Sequence, residues 1–226
     1  MNRNSPSEPA VTLARQSTRW SQADSAGGYT MRYLTAMRNY LIELWDDGEA
    51  VDNALVLLIN HLAAKGFGSS EKGRLRDYLL RSARSAAAAQ YKREPTPTPP
   101  PVDAMKIDSP DWIRNWQECL LARVWRSMER FSHANPNNWE YHLLRGSDDH
   151  PGDTASMLAV RLSNEFGTAI KPEQVKTGLV AARRRFAQLL ADEVTDTLES
   201  PTPQDVNAEL QAIGLLHLVE PFLNAA

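Results

Sequence analysis

The chain has 226 residues, a formal net charge of −3 and 42% hydrophobic residues, enough for one large domain or two small ones with buried cores. Its one cysteine, Cys119, excludes an internal disulfide framework. No run of 18 apolar residues and no apolar N-terminal stretch occurs, so the composition points to a protein of a reducing compartment, the cytoplasm, with neither membrane span nor signal peptide. The small net charge conceals segregation. Lys72–Glu94 holds seven Lys/Arg against Asp77 and Glu94, Lys171–Leu190 holds five against Glu173, and Asp192–Ala226 holds seven acidic residues and no Lys or Arg.

Residues 1–27 are polar and aperiodic, and read as a disordered arm. From Met31, Leu34, Met37, Leu41 and Leu44 recur at steps of three and four, which predicts a helix ending at the break "WDDGEA". A nearly apolar helix follows over about Val51–Ala64. The glycine-punctuated "KGFGSSEKG" then leads into a basic helix over about Arg74–Arg93. Its stripe of Leu75, Tyr78, Leu79, Ala83 and Ala86 leaves Arg76, Arg81, Arg84 and Lys92 off the apolar face. These elements make a first helical domain, 28–94.

"PTPTPPP" cannot continue a helix and favours extended polyproline geometry, so 95–108 reads as a semi-rigid linker. A second domain, 109–199, opens at "DSPDW", where Asp108 or Ser109 can cap and Pro110 suits a first turn. Ile113, Trp116, Leu120, Val124 and Phe131 form the inward stripe of this helix. A short helix, "NWEYHLLRG", comes next, then one capped by Asp153 with Ala155, Leu158, Leu162 and Phe166 inward. A further basic helix turns Val175, Leu179, Ala182, Phe186 and Leu189 inward. The acidic tail, 200–226, reads as short helices parted near Gly214 and is expected to compete with DNA for the basic helices.

The last two helices of the second domain, joined through Gly167, have the composition of a helix-turn-helix. Lys176, Thr177, Val180, Arg183 and Arg184 lie outward by helical spacing. The short side chains would let the helix sit low in a major groove, while the cations reach phosphates or guanine edges.

Catalytic and metal chemistry finds little footing. His61, His133, His142, His150 and His217 show no ligand spacing. "SDDHPGD" reads as a turn and cap, and neither a phosphate loop nor a nucleophile elbow is present. The reading is a non-enzyme without cofactor or metal.

"LRDYLLRSARSAAAAQYKRE" resembles the helix that closes region 2 of bacterial extracytoplasmic-function (ECF) sigma factors of the sigma-70 family, of the large-paralogue, sigma-like group. The matching positions are Leu75, Arg76, Tyr78-Leu79, Ala83-Arg84 and Lys92-Arg93. "ECLLARVWRSMERF", "MLAVRLSNEFGTAIKPEQVKTGLVAARRRFAQLLADEV" and "ELQAIGLLHLVEPFL" resemble the layout of region 4 and its ending, so the likeness spans about 30–223. The resemblance implies an all-α protein: a region 2-like bundle and a region 4-like helix-turn-helix joined by the Pro-rich linker. It further implies a transcription initiation factor that binds RNA polymerase core and promoter DNA and answers to an anti-sigma or other regulatory protein. By the resemblance, Arg84, Gln90, Lys92 and Arg93 would face the −10 element, and Lys176, Thr177, Arg183 and Arg184 the −35 element. Asp52 and Asn53 would face polymerase. The chain departs from the family where an acidic pair and a Gln are usual, having "VDNALVLLINHL", and at Ser85 and Ala89. The alternatives are a sigma-derived interaction module that does not bind polymerase and a dimeric helix-turn-helix repressor.

Overall fold

A computed structural model describes residues 10–13, 20–22, 25–68 and 73–223. Among them the regular structure is helical, α apart from two short 3-10 helices (Trp20–Gln22 and Glu220–Phe222), with a single antiparallel bridge between Arg74 and Leu198. The helices are α1 (Ala26–Met31), α2 (Leu34–Trp45), α3 (Gly48–Lys65), α4 (Leu75–Arg93), α5 (Pro110–Ala134), α6 (Glu140–Asp149), α7 (Ala155–Phe166), α8 (Pro172–Thr195), α9 (Pro203–Ala212) and α10 (Leu216–Val219). The chain divides into two compact units. The larger takes 13–121 with 192–216, and the smaller takes 122–191 with the chain ends. The division therefore falls within α5 and within α8, not at the proline-rich segment 95–108, which lies inside the larger unit.

The larger unit is built on apolar stripes with helical spacing. Met37, Tyr40 and Leu41 of α2, Val51, Leu55, Leu58 and Leu62 of α3, and Leu75, Leu79 and Ala83 of α4 are all buried. Each fully buried Leu or Val removes enough apolar surface from water to contribute about 1.5–3 kcal/mol. Trp112 and Trp116 of α5 are fully buried here, Trp116 stacked on Tyr33 at 4.9 Å and Trp112 at 5.5 Å from Tyr40. Cys119, one turn on, is buried, its thiol 3.8 Å from the Arg32 carbonyl oxygen.

Prolines lack an N–H, so segment 95–108 cannot satisfy itself as a helix does. Its carbonyls are taken instead by side chains of α2: the Trp45 indole donates to the Thr98 oxygen at 2.9 Å and the Tyr40 hydroxyl to the Ala104 oxygen at 3.3 Å. Pro100 and Met105 are buried. The N-terminal stretch expected as a disordered arm lies partly outside the described residues (1–9, 14–19 and 23–24). Within it Trp20 is buried, its indole donating to the Gly73 oxygen at 3.3 Å, and Ser25 caps α1 by accepting from the Gly28 N–H at 3.0 Å.

The acidic tail is part of the core. Thr202 and Asp205 form a reciprocal capping box at the start of α9, and Val206, Leu210, Ile213 and Leu215 are buried. Glu209, 1% exposed, faces the head of α4. It accepts from Arg76 Nε at 2.6 Å and lies 2.9 Å from Arg74 Nε. Arg76, expected on the solvent face, is 4% exposed and also donates to the Ile107 carbonyl at 3.1 Å. The helical spacing did place it off the α4 stripe, but the tail supplies a second buried surface there, with a carboxylate to meet it. Asp77, beside this pair, has its carboxyl raised by burial against the pull of Arg76 and Arg74.

The smaller unit packs α6, α7 and the first half of α8 around Leu143, Leu158, Leu162, Ile170 and Val175. The second half of α8 turns Ala182, Phe186 and Ala187 inward, and Trp125 of α5 meets Phe186 edge-on at 5.2 Å. Arg185 lies 4.0 Å over the Phe131 ring and is ion-paired with Glu140.

Candidate nucleic-acid interface

The cap of α7 is Thr154, whose hydroxyl accepts from the Met157 N–H at 3.3 Å, and not Asp153. Asp153 is drawn away by Arg161, 3.0 Å distant, so an arginine about two helical turns inside α7 competes for the carboxylate. α7 ends at Gly167, whose φ of 62° is the left-handed conformation that closes a helix without a Cβ clash. Ser163 then ties the turn. Its hydroxyl donates to the Ala159 oxygen at 2.6 Å and accepts from the Ile170 N–H at 2.9 Å, which seats Ile170 in the core. The Gln174 side chain accepts from the Lys171 N–H at 2.8 Å, and α8 starts at Pro172.

The outward face of α8 carries four of the five residues that helical spacing places there. Lys176, Thr177, Val180 and Arg183 are exposed, while Arg184 is half-buried. Lys176 pairs with Glu173 at 2.9 Å, both largely exposed, a contact too weak to hold the lysine against a phosphate. The Thr177 hydroxyl donates to the Glu173 carbonyl of its own helix at 3.0 Å, leaving its methyl outward. Arg183 makes no ion pair among the described residues. Gly178 is a packing position that charge reading misses: a Cβ there would meet the Leu143 side chain, so glycine lets α6 press close beneath the outward face. A glycine between Thr177 and Leu179 in an otherwise strong helix former is the sequence signal for it.

α4 behaves differently. Arg84 is exposed, 3.2 Å from the almost fully exposed Asp103, and Lys92 and Arg93 are exposed in the last turn. Gln90 is 6% exposed, its amide donating to Glu94 at 3.3 Å, so the expectation that it faces DNA is corrected. It shares the buried side of α4 with Ala83, Ala86 and Ala87, where small neighbours leave room for the longer amide stem.

On α3, Asp52 and Asn53 are exposed. Arg38 of α2 grips Asp52 through two hydrogen bonds, 2.7 and 3.1 Å, and these hold its carboxyl below the usual range. In "SDDHPGD", Asp148 and Asp149 still belong to α6 and lie 3.6 and 3.3 Å from Arg145. Among the described residues no group of three His, Cys, Asp or Glu is arranged to hold a metal ion, and no helix is long and apolar enough to cross a membrane.

The arrangement can therefore place a basic helix face against a polyanion and hold it there by a glycine-closed turn and a serine-pinned loop. No family model, curated protein or solved structure matches this chain.

Proposed function

We propose that the protein is a sigma-like transcription initiation factor of the cytoplasm that docks on RNA polymerase core and positions it on promoter DNA. Its work is placement, not bond-making: phosphate contacts anchor and base-edge contacts specify. The observation that carries the reading is the outward face of α8, where Lys176, Thr177, Val180 and Arg183 stand exposed behind a tight turn. In that role α8 reads the −35-like element, while Arg84 in the middle of α4 and Lys92 and Arg93 in its last turn contact the −10-like element, and the exposed stretch of α3 around Asn53 meets polymerase.

A second reading, a sigma-derived module that binds DNA or a regulator without polymerase, is favoured by two observations. Arg38 occupies Asp52, and Gln90 is buried. The test is run-off transcription with purified core polymerase on genomic fragments, beside capture of the chain by immobilised core. Stoichiometric capture with promoter-dependent transcripts supports the first reading. Duplex binding with no capture supports the second, and capture with no duplex binding removes the role given to α8.

A further inference from the structure

A stripe on α5 is left unused by the proposed function. Arg126, Arg130 and His133 recur at steps of four and three, on the side of the helix opposite the buried Val124 and Met128, and all three are exposed. The other exposed arginines of the smaller unit are mostly engaged by carboxylates: Arg145 by Asp148 and Asp149, and Arg161 by Asp153. Arg126 and Arg130 meet only oxygens of their own helix, the Ala122 carbonyl at 3.3 Å and the Ser127 hydroxyl at 3.2 Å. With a rise of about 1.5 Å per residue, their Cα atoms stand about 6 Å apart along the axis.

The stripe runs into a cleft. His133, at its end, lines a partly open cavity of about 220 Å³ together with Asn138, Trp139, His142 and Phe166. The walls are aromatic and ordered by one another: Trp139 stacks on Phe166 with centroids 5.6 Å apart, and His142 meets Phe166 edge-on at 4.8 Å. No carboxylate lines it. The volume is below the 300–1,000 Å³ of sites for drug-sized ligands, which suits a single flat ring bearing hydrogen-bonding edges. The Asn138 and histidine side chains supply both donors and acceptors for such an edge.

Cations in a row beside an aromatic slot are the two elements of sites for unpaired nucleic acid strands: the cations follow the backbone and the rings stack a base. We propose that the smaller unit binds single-stranded nucleic acid, with one base in the Trp139–His142–Phe166 cleft and the adjoining phosphates on Arg126 and Arg130. A duplex cannot fill this site, because its bases are paired and stacked inside the helix. The proposal stands on residues separate from the outward face of α8 and goes beyond the promoter reading.

The test uses the full chain and fluorescein-labelled oligonucleotides of about twelve nucleotides, within the length such sites cover. Anisotropy is followed for oligo(dT), oligo(U) and an all-abasic strand of equal length, with a duplex measured in parallel. The expected result is saturable binding of oligo(dT) or oligo(U), about tenfold tighter than the abasic strand. The tighter of the two names the strand type. Arg126→Gln with Arg130→Gln should lower the salt slope by about 1.4, since each single-strand phosphate contact contributes about 0.7, and should weaken the oligonucleotide more than the duplex. Trp139→Ala should abolish the preference for bases over the abasic strand. Should circular dichroism show that this variant unfolds, His142→Ala reads the same ratio. Equal affinity for abasic strand and oligo(dT), an unchanged salt slope in the double variant, or displacement by polyglutamate as effective as by unlabelled oligo(dT) would each overturn the proposal. Loss of duplex binding alone would instead strike the role given to α8.

Discussion

α4 and α8 enter the fold with similar sequence credentials, each a long helix dense in Lys and Arg, and leave it with different surfaces. α4 loses Arg76 to a buried pair with Glu209, has Arg74 drawn to the same carboxylate, and turns Gln90 into the core. α8 keeps Lys176, Thr177 and Arg183 outward. The difference lies in the neighbours. α4 is packed on more than one side within its unit, against α3 and against the tail. The first half of α8 rests only one face on a small core of Leu143, Leu158, Leu162 and Ile170, leaving the other in water. A run of basic residues is therefore a binding surface only where no second apolar layer arrives to cover it.

The largest expected effect sharpens that contrast. Arg76→Ala leaves Glu209 as a buried, half-compensated charge and should cost about 3–5 kcal/mol in urea unfolding, whereas Arg84→Ala, whose partner Asp103 is almost fully exposed, should cost less than about 1 kcal/mol. Equal costs would dissolve the distinction between buried and outward arginines. Gly178→Leu raises helix propensity but forces a side chain onto Leu143. It should destabilise the chain by about 1–3 kcal/mol in the same assay, and duplex affinity should fall with the displaced helix.

Lys176→Ala with Arg183→Ala should leave the melting curve nearly unchanged and reduce the duplex salt slope by about 1.8, at about 0.9 per phosphate contact. A slope that does not move would place the DNA elsewhere. The smallest effect concerns Asp77. Burial raises its carboxyl in the folded protein, so the fold binds more protons than the unfolded chain between the ordinary and the raised value. The penalty on its charged form is therefore fully present at neutral pH and is relieved as pH falls through the folded pKa to the ordinary value. Asp77→Asn should give a slight gain in thermal stability at pH 7 that disappears near pH 4 on the scale of ordinary carboxylates.

The helix pattern was legible in the sequence because period and breakers agreed. Pro110 and Pro172 open helices, Gly167 closes one, and Val175, Ala182 and Phe186 point inward as spacing requires. α1 escaped because Gly27 and Gly28 are poor helix formers. Gly27 is tolerated since a Cβ there would crowd Ala63 of α3. The partition into units also escaped. A proline run signals that a helix stops, not that contacts stop, and carbonyls without neighbouring N–H donors can be taken by Trp45 and Tyr40. At the candidate interface, exposure on α8 followed from one amphipathic period. Burial of Arg76 depended on a partner 133 residues on, which no local pattern reports, and Gln90 is buried although the partner of its amide, Glu94, is only four residues away. The stripe of Arg126, Arg130 and His133 was visible as spacing but lay hidden inside a helix read only for its apolar side.

Cys119 gives the larger unit a built-in reporter. Its thiol is closed off beside the Arg32 carbonyl and is the chain's sole sulfhydryl, so an alkylating reagent reaches it when α5 lifts from the turn between α1 and α2. The rate of its modification, followed with and without nucleic acid, meters how often that packing opens in the intact molecule.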